Sequence, residues 1–128
     1  MTHIFGQGID LVKILRIKKA ISKNKNFKKR IFSINENFLC SKRANKYSCY
    51  AMRFAAKEAF TKALGTGISR GIKFNEINII KDKLGKPNIK LLGITKNSVQ
   101  KIIKKKFKIF LSISDEDKYA FASVIITI

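Results

Sequence analysis

The chain has 128 residues, enough for one domain with a modest core, and an apolar fraction of 45%, that of a globular protein. Its formal charge of +20 favours anionic partners: nucleic acid, an acidic protein or an anionic membrane surface. No apolar run nears the ~20 residues of a membrane span and no basic-then-apolar leader opens the chain, so the expectation is a cytoplasmic protein without membrane contact.

The charge is mostly Lys, Ile dominates the aliphatics, Asn is frequent and Trp is absent. An A/T-biased coding sequence produces that skew, so the charge carries weight only where it clusters. Cys40 and Cys49 form no CxxC pair and His3 is the single histidine, which argues against zinc and for reduced, structural thiols.

In chain order, the stretch 3–12 (HIFGQGIDLV) reads as a strand ending at Asp10, with Gly6 and Gly8 on alternate positions, the mark of a bulge or a close backbone approach. Asp10 is then the cap of the next helix or a metal ligand. Residues 11–31 look helical, with Ile14, Ile17 and Ile21 on one face and Arg16, Lys19 and Lys23 on the other. Arg16 is one of five arginines and suits forked bonds to a carboxylate. Ser33 and Glu36 have capping-box spacing ahead of a helix from about 35 to 47.

A third helix runs from about 50 to 64, where Met52, Ala55, Ala56, Ala59, Ala63 and Leu64 form an apolar stripe and Gly65 marks the stop. Its small residues permit very close packing. Glu58 is its only acid, with Arg53, Lys57 and Lys62 around it. Glu58 and Lys62 alone make an ordinary i,i+4 surface pair. The Gly65-Thr66-Gly67 loop is a helix stop whose amides also suit a phosphate. A loop follows over 68–71, then strands over 72–80 and from Asn88, joined by a turn at Gly85 and Pro87. A basic helix over 95–106 and strands over 107–114 and 119–128 complete the chain. Helices and strands are segregated rather than alternating, which gives an α+β class with an antiparallel sheet.

Five stretches taken together resemble the bacterial holo-[acyl-carrier-protein] synthases, which are 4′-phosphopantetheinyl transferases. They are GQGIDLVKILRI (6–17), FSINE (32–36), RFAAKEAFTKALGTGI (53–68), KFNEINIIKDKLGKPNIKL (73–91) and LSISDEDKYAFASVII (111–126). The resemblance implies one α+β domain over 1–128, helices packed on an antiparallel sheet, and a homotrimer with active sites between subunits. It implies transfer of the phosphopantetheine arm of coenzyme A to a serine of apo-acyl carrier protein, releasing adenosine 3′,5′-bisphosphate, in support of fatty acid biosynthesis. It also implies a magnesium ion on Asp10 and Glu58, which suits a cation that takes one or two carboxylates plus phosphate oxygens and water.

Lys62, one turn beyond Glu58, is then placed to stabilise charge on the leaving bisphosphate. Arg53, Lys57, Gly65, Thr66 and Ser112 become candidates for coenzyme A contacts, with Lys86 in the Gly85–Pro87 turn as a further one. Arg16 becomes the expected carrier-protein contact, and Lys19 and Lys23 steering charges for that acidic partner. One departure stands out: many members carry His where this chain has Asp115, an acid unhelpful near a diphosphate. Two rival readings remain, a transferase fold without turnover and a basic nucleic-acid-binding protein. The latter lacks any recognised binding motif.

Overall fold

In the computed structural model, which describes residues 1–67 and 71–128, β1 (Ile4–Lys13) pairs antiparallel with β5 (Tyr119–Thr127). On its other side β5 pairs with β4 (Lys108–Glu116), giving the order β1-β5-β4. β2 (Ile77–Lys81) and β3 (Pro87–Leu91) form a separate antiparallel hairpin, with Gly85 at φ +84° in its turn. The helices are α1 (Ile14–Lys23), α2 (Phe27–Ile31), α3 (Ile34–Ser41), α4 (Lys46–Leu64) and α5 (Gly93–Ile103). One buried cluster draws on α1, α3, α4, α5 and both sheets, so this is a single α+β domain with antiparallel sheets. The loop expected at Ile68, Ser69 and Arg70 lies outside the described residues.

Helix α4 is the centre of the core because its small residues let it touch the sheet backbone. Ala55, Ala56 and Ala59 are fully buried. A Cβ on Gly6 would stand 2.0 Å from the Ala63 carbonyl oxygen, and one on Gly8 would stand 2.0 Å from that of Ala59. No side chain fits at either place. The register shift between Ile4 and Gly6 adds a bulge, so both meanings of strand glycine hold here.

Strand alternation then divides the sheet. Gly8 and Val12 are buried on the α4 side, while Ile9 and Leu11 are 59% and 62% exposed on the other.

Several boundaries differ from expectation. β1 continues to Lys13, which pairs with Tyr119, so the stretch 11–31 is a strand end followed by two helices rather than one helix. Cross-strand pairing to β5 outweighs the helical pattern of 11–13. α4 starts at Lys46, earlier than expected, and the strand expected over 72–80 begins only at Ile77, after a 3-10 turn over Phe74–Glu76. Ser33 and Glu36 do form the capping box: Glu36 N–H donates to Ser33 Oγ at 3.1 Å and Ser33 N–H to Glu36 Oε1 at 2.8 Å.

Cys40 and Cys49 are joined as a disulfide, which corrects the expectation of reduced thiols. The turn between α3 and α4 brings their Cα atoms to 5.5 Å, within bridging range, a proximity that a spacing of nine does not encode. Among the described residues no helix is long and apolar enough to cross a membrane.

Candidate functional site

The close contact of α4 on β1 carries two carboxylates to the same place. Asp10 lies on the same strand face as Gly8 and Val12, toward α4. It does not cap α1, whose N-cap is Lys13 without a side-chain hydrogen bond. Glu58 is half-buried on α4 and directly precedes Ala59, the residue whose carbonyl meets Gly8. Burial pushes the Glu58 carboxyl above the ordinary carboxylate range, and the neighbouring Asp10 charge adds to that; Lys62 and Arg16 oppose it.

Lys62, one turn further on, completes the group. Its Nζ donates to the Ile9 carbonyl at 2.9 Å and to Asp10 Oδ1 at 3.2 Å. Among the described residues its ion pair is therefore with Asp10 across the helix–strand contact, not with Glu58 along the helix. The Lys62 side chain is 55% exposed and that of Asp10 15%, so the group opens to solvent. Two acids and one cation on an open surface suit a divalent cation or a phosphate–cation complex.

Arg16 borders the same place. Its guanidinium lies over the Phe54 ring, 5.8 Å from the centroid, and Phe54 sits one turn before Glu58 on α4. Lys19 and Lys23 are exposed farther along α1.

Two expected coenzyme A contacts are elsewhere. Lys57 and Arg53 are fully buried and cannot touch a phosphate from solvent. Lys57 Nζ forms an ion pair with Glu36 at 2.8 Å and donates to the carbonyls of Phe74 and Ile77. Burial lowers its pKa to about 8 despite that carboxylate. Glu36 also accepts from Ile79 N–H, so this pair ties α3, α4 and β2 together. Arg53 Nη1 donates to the Cys49 carbonyl and sulfur, while its Nε and Nη2 are buried without a hydrogen-bond partner among the described residues. Helical phase explains the misreading: Lys57 and Arg53 share a face that points into the core, whereas Glu58 and Lys62 point toward β1.

Gly65 adopts φ +82° and closes α4, its N–H donating to the carbonyls of Thr61 and Lys62, and Thr66 follows in the turn. Ser112 is exposed on β4 opposite Ser123, on the sheet face that α4 does not cover, so one chain does not bring it to Asp10. Lys86 is exposed in the hairpin turn and shares a small cleft with the start of β4.

Asp115 accepts a hydrogen bond from Ser48 Oγ near the start of α4. Sequence reasoning missed Ser48, Phe54 and the Glu36–Lys57 pair, since each depends on a contact between distant segments. The i,i+4 spacing of Phe54 and Glu58 was the available signal for Phe54. A cleft of about 750 Å³ lies away from the carboxylates, beside α2 and α3.

A family model described as the 4′-phosphopantetheinyl transferase superfamily matches residues 6–124. The chain is 50% identical over 128 residues, covering 96% of each chain, to a holo-[acyl-carrier-protein] synthase of Pelagibacter ubique. It is similar to the crystal structure of the Neisseria meningitidis holo-[acyl-carrier-protein] synthase, with a TM-score of 0.87 and 33% identity, covering 97% of this chain and 98% of that one. The Helicobacter pylori synthase in complex with coenzyme A gives 0.80 at 34% identity, covering 94% and 98%.

Proposed function

Because the chain belongs to the 4′-phosphopantetheinyl transferase superfamily, we propose that Asp10, Glu58 and Lys62 form its active centre. The enzyme transfers the phosphopantetheine arm of coenzyme A to a serine of apo-acyl carrier protein and releases adenosine 3′,5′-bisphosphate. Its place is the cytoplasmic supply of holo-carrier protein for fatty acid synthesis, and the whole chain, 1–128, serves as one catalytic domain.

A magnesium ion fits the residues present. The Asp10 charge disfavours ionisation of Glu58, and a cation between two hard oxygen donors would relieve that. Bound there, it would neutralise charge on the diphosphate during the displacement.

The chain's own residues supply the rest. Lys62, fixed by Ile9 and Asp10, presents an ammonium to the leaving bisphosphate. Deprotonation of the carrier serine falls to Glu58 or to a water beside it. Gly65, Thr66 and, from a neighbouring subunit, Ser112 and Lys86 would line the coenzyme A path. Arg16, anchored by Phe54 beside Glu58, is placed to meet a carboxylate of the arriving carrier protein, with Lys19 and Lys23 steering it. Ser48 Oγ donates to Asp115, which orients that carboxylate against α4 while leaving it charged.

A homotrimer is part of the proposal. The uncovered sheet face exposes Ile9, Leu11, Phe110, Tyr119 and Phe121, an apolar surface suited to further copies of this chain. The observation that carries the function is the Lys62–Asp10 pair beside Glu58. The test is intact-mass analysis of apo-acyl carrier protein incubated with the protein, coenzyme A and magnesium. A gain of one phosphopantetheine that disappears with chelator is expected; no gain from folded protein that binds coenzyme A would refute it.

A further inference from the structure

We infer that the cleft between α2, α3 and the 74–76 turn is a second docking surface for the acidic carrier protein, which extends the one on α1. This rests on the transferase reading above. The cleft, about 750 Å³, is rimmed by Lys25, Lys28, Lys29 and Lys73, with Phe32 in its wall. Its lining contains one acid, Glu76, and that carboxylate already accepts from the Thr95 amide at 3.1 Å and hydroxyl at 2.8 Å. Four lysines thus share this rim with a single acid, a local excess of positive charge that an acidic partner can meet. Ile34, 88% exposed at the start of α3, adds an apolar contact within the charged rim.

Two features favour a folded acidic polypeptide as occupant. First, the cleft continues the surface already assigned to that partner. α1 ends at Lys23, its basic face carries Arg16, Lys19 and Lys23, and Lys25 stands on the cleft rim two residues on. Second, the rings packed beneath this surface give the short span from cleft to active centre: buried Phe32 meets Phe27 at 6.1 Å, Phe27 stacks on buried Phe54 at 6.4 Å, and Arg16 lies over Phe54. A partner helix of ordinary length covers that span. Acidic residues on it can pair with the rim while its apolar side meets Ile34, and its serine remains near Glu58.

The test compares two variants of equal charge change, Lys25→Glu/Lys29→Glu/Lys73→Glu in the cleft and Lys101→Glu/Lys105→Glu/Lys106→Glu at the end of α5. All six side chains are exposed, so neither set disturbs the core. Direct binding of apo-acyl carrier protein at low salt, which needs no turnover, is measured beside KM for coenzyme A.

The cleft variant is expected to bind carrier protein about tenfold more weakly with its KM for coenzyme A unchanged, and the α5 variant within about twofold of the parent. Carbodiimide coupling of the complex should link carrier carboxylates to Lys25, Lys29 or Lys73. Equal weakening in both variants, or in neither, overturns the proposal. So does a cleft variant that keeps carrier protein but loses a single-stranded oligonucleotide, which would assign the cleft to nucleic acid. A parent protein that binds no carrier protein overturns the transferase reading itself, and the docking proposal with it.

Discussion

Replacing Gly8 by Ala tests whether the contact between α4 and β1 sets the active centre. The new methyl would lie 2.0 Å from the Ala59 carbonyl oxygen, 2.8 Å from Ala63 N and 2.9 Å from Lys62 Cβ. A carbon–oxygen contact relaxes at about 3.3 Å, so helix and strand must separate by roughly 1.3 Å. Two of these three neighbours are backbone atoms of a buried helix, so no side-chain rotation absorbs the overlap. Overpacking of this kind costs about 1–3 kcal/mol, which for a chain of this length lowers Tm by roughly 4–11 °C.

The effect on catalysis should be larger. Asp10 follows Gly8 by two residues and Glu58 directly precedes Ala59, so the separation acts on both carboxylates and on the Lys62–Asp10 pair. A displacement near 1 Å costs on the order of 100-fold in rate. Transfer would be followed by intact mass at saturating substrates, with thermal melting in parallel. Gly85→Ala serves as the stability control: its Cβ meets nothing within 4 Å, so only the φ of +84° is strained, at a cost of about 1 kcal/mol. A Gly8→Ala protein that melts and turns over like the parent would refute the reasoning.

Other outcomes follow from the same geometry. Glu58→Gln should abolish transfer yet raise Tm at neutral pH in chelator. The folded Glu58 pKa is raised, so the stability tied to its proton is present at low pH and lost as pH rises through the folded pKa; the gain from Gln should therefore vanish below about pH 4.5, and a Tm difference independent of pH would contradict it. Lys57→Met should cost about 3–5 kcal/mol in denaturant melts because Glu36 is left buried without its cation, while KM for coenzyme A in the folded protein stays unchanged. A raised KM with normal stability would return Lys57 to the substrate site. Reduction of the Cys40–Cys49 bond, checked by alkylation mass, should cost about 2–3 kcal/mol for a loop this short; unchanged stability on confirmed reduction would argue against a role in holding α3 to α4.

Much of this was legible in the residues because it depends on local physics. The capping box needs only Ser33 and Glu36 three apart, the end of α4 needs only Gly65, and the strand glycines announce a close approach before its partner is known. The pairing of Asp10 with Glu58 came from the resemblance rather than from spacing, since 48 positions separate them and no local rule joins them. Lys57 beside Glu58 was read by charge and proximity, although adjacent helix residues point about 100° apart. That angle separates a core ion pair from a surface site.

Sequence by itself therefore determined most of the elements and the α+β class, since propensity, capping and periodicity act over a few residues. Only the tertiary structure decided which cations of α4 face solvent and which face the core. It also decided that Lys62 pairs with Asp10 rather than Glu58, that Cys40 meets Cys49, and that Lys28 and Lys29 of α2 and Lys73 just before the 74–76 turn line one cleft. Each of those depends on how α4 docks against β1 and α3, and the space left by Gly6, Gly8 and the alanines fixes that docking at backbone contact.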